Sequence, residues 1–370
     1  LQGARRQGKA PLVSHAARSL RLKDFARREW AEITRVNPSN RPWQMPFVAG
    51  ITSALPVALA AWLGDIHQGL VAALGTMVFV YIADTTLERR LLTLMGTSFA
   101  ITACYALGLV AAQVHLAAVP VMIAVATLVS IGCRYLRQGP PAAMFPVMAA
   151  AIGLFANAPW TDIPARVGML FMGAMLATAT GFFYSVYILS RRSPAPRPVP
   201  APLTVETLLF EPVMIGLAAG LALAAALALR IDKPFWAPVS AIAVIQAATL
   251  RSVWTRQVHR IVGTAIGVGL AALILRMGLV PWQVVGMVGL LTFVIEVAVV
   301  RHYGFAVMFI TPLAILLGQP HAADPASVQA ITLARLEDTL VGCVVAVAVG
   351  LLMHWPALRG WVNGAWGKAA

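Results

Sequence analysis

The chain has 370 residues, 59% of them hydrophobic and only 11% charged, with a formal net charge of +14. A soluble domain carries about 25% charged residues, so this composition leaves too little polar surface for a large soluble particle and points to an integral membrane protein. The charge is not that of a nucleic-acid binder: residues 1–41 hold ten Lys/Arg against three acids, half of the net charge, and the remainder sits in short loops between apolar stretches.

Residues 1–44 read as a basic cytoplasmic tail. They hold no short apolar core followed by a cleavage site, so no secretory signal is expected. Within 13–36, Leu22, Ala26, Trp30 and Ile33 share one helical face, and Arg or Lys fills much of the rest. That pattern predicts a basic helix lying on an anionic membrane surface.

Twelve apolar stretches follow, near 45–63, 68–84, 93–112, 116–132, 140–156, 166–189, 213–229, 234–249, 261–276, 281–299, 303–318 and 337–354. Several are shorter than the roughly 20 residues a span needs. Pro56, Pro120, Pro146, Pro238 and Pro312 fall inside them, which membrane helices tolerate when neighbours satisfy the freed carbonyls. Counting all twelve as spans with the N-terminus inside places 23 Lys/Arg on inner segments and 5 on outer ones. That bias predicts a multi-pass protein of a bacterial inner membrane with both termini cytoplasmic.

The expected fold class is all-α: a polytopic membrane protein of about twelve transmembrane helices in two tandem six-helix repeats. The first half covers 45–190. A proline-rich cytoplasmic linker, 191–212, contains "SRRSPAPRPVPAPLTVE" and is extended rather than helical. The second half covers 213–355, and 356–370 form a cytoplasmic tail.

The repeat is read from spacing. Arg166 is followed by Gly173, Ala177 and Gly181; Arg335 is followed at the same offsets by Gly342, Ala346 and Gly350. A looser version pairs Arg89 and Gly96 with Arg256 and Gly263. Small residues every fourth position make a smooth strip that lets two helices approach closely in lipid, with the arginine at the interface. The third helix would run outward and the sixth inward, which hints at an inverted three-plus-three repeat in each half.

Cys104, Cys133 and Cys343 lie in or beside apolar segments without CxxC spacing, as buried small hydrophobes do. Enzyme signatures are absent. There is no GxxxxGK[ST], HExxH or Cys/His cluster, and "GVGLAA" at 267–272 follows no strand. No catalysis, metal, cofactor or nucleic-acid partner is expected.

The second half resembles a known family. "FWAPVSAIAVIQAATLRSVWTRQVHRIVGTAIGV" followed by "EVAVVRHYGFAVMFITPLAILL" is similar to the fusaric acid resistance (FUSC-like) membrane proteins. These group with the aromatic acid exporters, and the plant aluminium-activated malate channels are distant relatives. The resemblance rests on Phe235-Trp236, Gln246, Arg260 before Gly263-Thr264, Glu296, Arg301-His302-Tyr303 and Thr311-Pro312. It implies export of small, often aromatic, organic acids. Some family members carry large cytoplasmic domains, where this chain has only tail and linker.

Glu296 is expected inside the tenth span near its inner end. A carboxylate there faces a cavity or a partner, so it is either a proton-coupling group or a structural pair with Arg301, Arg256 or Arg260. Arg251, Arg256, His259 and Arg260 cluster at the inner mouth, either as a funnel for anions or as ordinary positive-inside flanking. Arg260 is the candidate carboxylate contact, because it lies last before the span. Trp236, Gln246, Tyr303 and Thr311 could line a substrate path, although Trp236 and Tyr303 also suit an interfacial belt.

Asp84 is expected to pair locally with Arg89 and Arg90, and Asp162 and Asp324 to cap the sixth helices. The expected function is proton-driven export of small organic anions. An anion channel and a non-transporting scaffold are the alternatives. Membrane lipids are expected partners; a homo-oligomer and an envelope-spanning adaptor are left open.

Overall fold

The computed structural model describes residues 27, 30, 31, 33–114, 116–194, 203–246, 249–318 and 325–360. All regular structure among them is helical. In chain order the elements are α1 (Gln44–Leu63), α2 (Ile66–Gly75, continued by a 3-10 segment Thr76–Tyr81), α3 (Leu87–Ala111) and α4 (Ala118–Tyr135). Then come α5 (Met144–Leu154), α6 (Ile163–Leu189), α7 (Glu211–Ala228) and α8 (Trp236–Ile245). The last are α9 (Leu250–Arg276), α10 (Pro281–Val299), α11 (Tyr303–Gly318) and α12 (Pro325–Met353).

Each apolar stretch of the sequence holds one of these helices, but they are of two kinds. Eight are long and apolar enough to cross a membrane; α2, α5, α8 and α11 are shorter. Proline sets some of these limits: α5 starts just after Pro140-Pro141 and α8 just after Pro234. The 10 residues of α8 rise only about 15 Å, half of a hydrocarbon core about 30 Å thick. Every residue of α8 is buried, so its ends meet protein rather than lipid, the condition under which a broken helix is stable at membrane depth.

The packing is selective. In the first six helices α2 lies on α6, α3 on α5, and α3 on α6; in the last six α8 lies on α12, α9 on α11, and α9 on α12. The two groups meet through α4 against α7, α1 against α10, α5 against α8, and α2 against α11. The buried positions of α6 and α12 coincide at a shift of 169: Leu170, Gly173, Ala174, Ala177 and Gly181 answer to Thr339, Gly342, Cys343, Ala346 and Gly350.

The third and ninth helices are in a different register from the one the arginine–glycine spacing predicts. Buried Leu94, Thr97, Ser98, Ile101 and Tyr105 fall on buried Arg260, Gly263, Thr264, Gly267 and Ala271 at a shift of 166. This pairs Arg256 with Arg90 rather than Arg89. Gly96 is exposed, and a Cβ added there meets nothing, whereas one added to Gly342 runs into the Ala237 carbonyl. Gly342→Ala should therefore destabilise the protein by about 1–3 kcal/mol, while Gly96→Ala should change it by less than about 0.5 kcal/mol. Thermal unfolding in detergent measures both.

Trp43, Trp62, Trp160, Trp254, Trp282 and Trp355 sit at or near helix ends and are all exposed, as an interfacial belt requires. One end of the bundle carries most of the ion pairs. Arg134 meets Glu211 at 2.7 Å, and Arg359 meets Glu206 at 3.0 Å and Glu211 at 3.6 Å. Asp84 pairs with Arg90 at 3.3 Å and with Arg192 at 3.5 Å. Arg89, the other expected partner, instead donates to the Leu136 carbonyl.

Asp162 occupies the N-cap position of α6 but caps nothing through its side chain, which accepts from Thr161 Oγ1. Asp324 lies outside the described residues. Helical structure already begins at Glu206, so the end of the expected linker is folded; residues 195–202 lie outside the described set. Of the expected surface helix, residues 27, 30, 31 and 33 are described and helical, and the chain from 35 to 42 is irregular.

Candidate functional site

A cavity of about 1140 Å³ runs through the bundle. At one end its wall includes Asp65, Asp162 and Lys233, next to the α1–α2, α5–α6 and α7–α8 connections. At the other end the wall includes Arg41, Arg256 and Glu296. The short helices make this space possible, since α2, α5, α8 and α11 all contribute to the lining.

Six of the seven residues singled out in the sequence line this cavity: Trp236, Gln246, Arg256, Arg260, Glu296 and Tyr303. Thr311 does not. It is fully buried, its hydroxyl donates to the Val307 carbonyl of its own helix, and its Cβ packs against Gly267 of α9. Trp236 is 7% exposed, unlike the belt tryptophans. Arg251 and His259 are not in the lining.

Helix α9 begins at Leu250, so Arg260 lies ten residues in, about 15 Å along the axis. It is 2% exposed; Nη2 donates to Ser240 Oγ of α8 at 3.2 Å, and Nε makes no hydrogen bond. Arg335 is placed likewise. With α12 starting at Pro325 it lies ten residues inside the helix, about 15 Å from its start. Its equivalent in α6, Arg166, stays near the helix start and donates to the Ala156 carbonyl.

Arg335 and Asp338 are the residues the sequence argument missed. Arg335 is 1% exposed, its guanidinium carbon lies 3.9 Å from the centre of the Trp236 ring, and none of its three nitrogens makes a hydrogen bond. Asp338 is fully buried; one carboxylate oxygen accepts from the Trp236 backbone N–H, at the start of α8, and the other is unpartnered. The signal was present in the sequence as three charges, Arg335, Glu337 and Asp338, inside an apolar run. Starting that helix at 337 hid it.

The cavity is rich in donors without acceptors. Besides the arginine nitrogens, Gln246 Nε2 and the hydroxyls of Thr292 and Tyr303 are buried without a partner. A buried donor left unsatisfied costs about 1–3 kcal/mol, so this wall favours a ligand rich in acceptors.

Glu296 is 3% exposed and bonds to Arg41 at 2.6 Å, not to Arg256, Arg260 or Arg301. Arg41 precedes α1 and belongs to a segment that crosses this end of the bundle. The Asn37 N–H donates to the Arg301 carbonyl at 2.8 Å. Nε2 of both His259 and His302 lies 2.8 Å from the Ile33 carbonyl, and Arg192 donates to the Asn40 carbonyl. Residues 33–41 thus lie across the mouth that Arg256 and Glu296 line.

The fold and its interior define a multi-pass α-helical membrane protein enclosing a largely apolar cavity with a cluster of buried, unpartnered donors in its wall. Residues 219–349 match the model of the fusaric acid resistance protein-like family. It is also 32% identical over 131 residues to the uncharacterized membrane protein YvaC of Bacillus subtilis (strain 168). That alignment covers 35% of this chain and 20% of YvaC, so it spans about a fifth of that relative. No solved structure matches the chain.

Proposed function

We propose that the protein exports small organic acids, aromatic ones included, across a bacterial inner membrane at the expense of the proton gradient. The observation that carries this is the cavity wall, where Arg260 and the other unpartnered donors sit buried inside the helix bundle. A cationic, donor-lined interior suits a carboxylate and disfavours a cation. The FUSC-like segment contributes these groups, including Arg260, Thr292, Tyr303 and Arg335.

In this reading the chain is two tandem six-helix halves with both termini cytoplasmic. The pairing of α4 with α7 and of α1 with α10, and the matched burial of α6 and α12, support it. Short helices in the second and fifth place of each half are what an inverted three-plus-three repeat would produce. Anions enter from the basic mouth at Arg256, meet Arg260, and leave as the halves rearrange. Glu296 holds Arg41 across that mouth until it is protonated.

The test is flux from proteoliposomes of a panel of carboxylic acids at two pH values. Uptake of aromatic monocarboxylates that responds to an imposed proton gradient supports the reading; movement only of cations or neutral compounds rejects it. A cavity lined from one end of the bundle to the other also fits an organic-anion channel. Single-channel currents independent of the gradient would select that alternative. A scaffold would need neither Arg260 nor flux.

A further inference from the structure

We infer that Arg335, Asp338 and Trp236 form a carboxylate subsite in which Asp338 fixes the number of negative charges the ligand carries at one. The inference rests on the organic-acid reading and assigns its site.

The side chains buried at this level divide unevenly. Arg260 and Arg335 are 2% and 1% exposed, and Asp338 is fully buried. Glu296 does not redress the balance, because it is already bonded to Arg41. Two cations against one anion leave a single positive charge at membrane depth, where an uncompensated charge is costly. A monoanion bound there balances it.

The geometry leaves hydrogen-bonding capacity for that anion on Arg335. The guanidinium lies over the Trp236 indole, so one flat face is engaged by the ring. A cation–π contact uses the face and leaves the N–H edges free. Those edges make no hydrogen bond, and the residue lines the cavity. A flat, orientated guanidinium with unpartnered nitrogens is suited to a two-pronged bond to a carboxylate once side-chain movement admits it. Asp338 does not fill this position: one oxygen is held by the Trp236 N–H, and no hydrogen bond joins it to Arg335.

The ring of the ligand also has a wall. Phe155, Phe235 and Trp236 all line the cavity, with ring centres 6.3 Å apart for the first pair and 5.0 Å for the second. Benzoate therefore has the complementary chemistry: one carboxylate for Arg335 and a ring for the aromatic row. Phthalate, with two carboxylates, exceeds the charge the site can balance.

The experiment is equilibrium binding of labelled benzoate, with benzoate and phthalate as competitors, to the purified full chain in lipid nanodiscs. Wild type should prefer benzoate. Arg335→Gln should weaken benzoate at least about tenfold, and Arg335→Lys should restore part of it. Asp338→Asn raises the local charge by one and should shift preference toward phthalate by about tenfold.

Folding is checked by thermal unfolding of each variant. If Arg335→Gln does not fold, Arg335→Lys and the valence shift of Asp338→Asn decide the matter. Wild-type benzoate affinity in Arg335→Gln, or unchanged benzoate/phthalate preference in Asp338→Asn, overturns the subsite and leaves the organic-acid reading standing. No carboxylate binding to wild type overturns both.

Discussion

Arg260→Leu should abolish organic-anion flux while leaving the protein folded. The buried register supplies the reason. At the shift of 166 that brings the buried positions of α3 and α9 into coincidence, Leu94 falls on Arg260 and is itself fully buried. The leucine variant thus copies a packing the fold already uses once. Arg260 is the buried charge in excess over Arg335 and Asp338 and bonds to the neutral Ser240, so its loss leaves no buried ion pair broken and the unfolding temperature should hold or rise.

Binding behaves differently. Removing one partner of a desolvated charge pair costs about 2–5 kcal/mol, and each 1.36 kcal/mol is tenfold. Flux of aromatic monocarboxylates should fall by about thirtyfold or more in proteoliposomes. Flux within about threefold of wild type would show that Arg260 is only a brace to Ser240.

This contrast also shows what the sequence could reveal. Apolar runs located every helix, because hydropathy reports burial in lipid or protein alike. It did not separate full spans from the short helices. The sequence cue is length together with proline, and α8 reads as apolar as any span although only 10 residues of it are helical. Boundary placement then decided which charges looked functional. Arg260 stood out as the residue just before an apolar run, and α9 carries it ten residues inside the helix. Arg335 was assigned to an interface because α12 begins twelve residues earlier than its apolar run.

Arg41 was out of reach of any local argument. Its partner Glu296 is 255 positions away, and no spacing rule connects a residue of the tail with the tenth helix. The register of α3 on α9 was hidden for a related reason. Small residues are common on both lipid-facing and protein-facing sides, so Gly96 imitated Gly263 until packing distinguished them.

The second large effect concerns the mouth. Glu296→Gln should make flux insensitive to pH while keeping it fast. The carboxylate holds Arg41 at 2.6 Å, and residues 33–41 lie over the opening. Protonation would remove the charge from one member of the pair. As pH falls, the closed arrangement loses that attraction and flux rises. Glutamine copies the protonated group, so the variant should stay at the fast limit across a two-unit pH range.

Arg41→Gln removes the same pair from the other side and should open the mouth at all pH values by at least about tenfold, roughly 1.4 kcal/mol. The two variants separate the roles of Glu296. If it only fastens the tail, both should transport quickly, and both should still respond to an imposed proton gradient. If it also couples protons to transport, Glu296→Gln should lose accumulation against a gradient and Arg41→Gln should keep it.

Other titratable groups face the same mouth: His259 on α9, His302 between α10 and α11, and Tyr303 at the start of α11. Arg256 and Arg260 of α9 add fixed charge. The histidines meet at the Ile33 carbonyl, with ring centres 4.6 Å apart. Protonating both would set two cations side by side, so they are a competing source of pH dependence at this point. His259→Gln with His302→Gln is therefore the control. A pH response that survives in this pair and disappears in Glu296→Gln assigns the switch to the carboxylate. The reverse result moves it to the histidines and leaves Glu296 as a structural tie for the segment that covers the mouth.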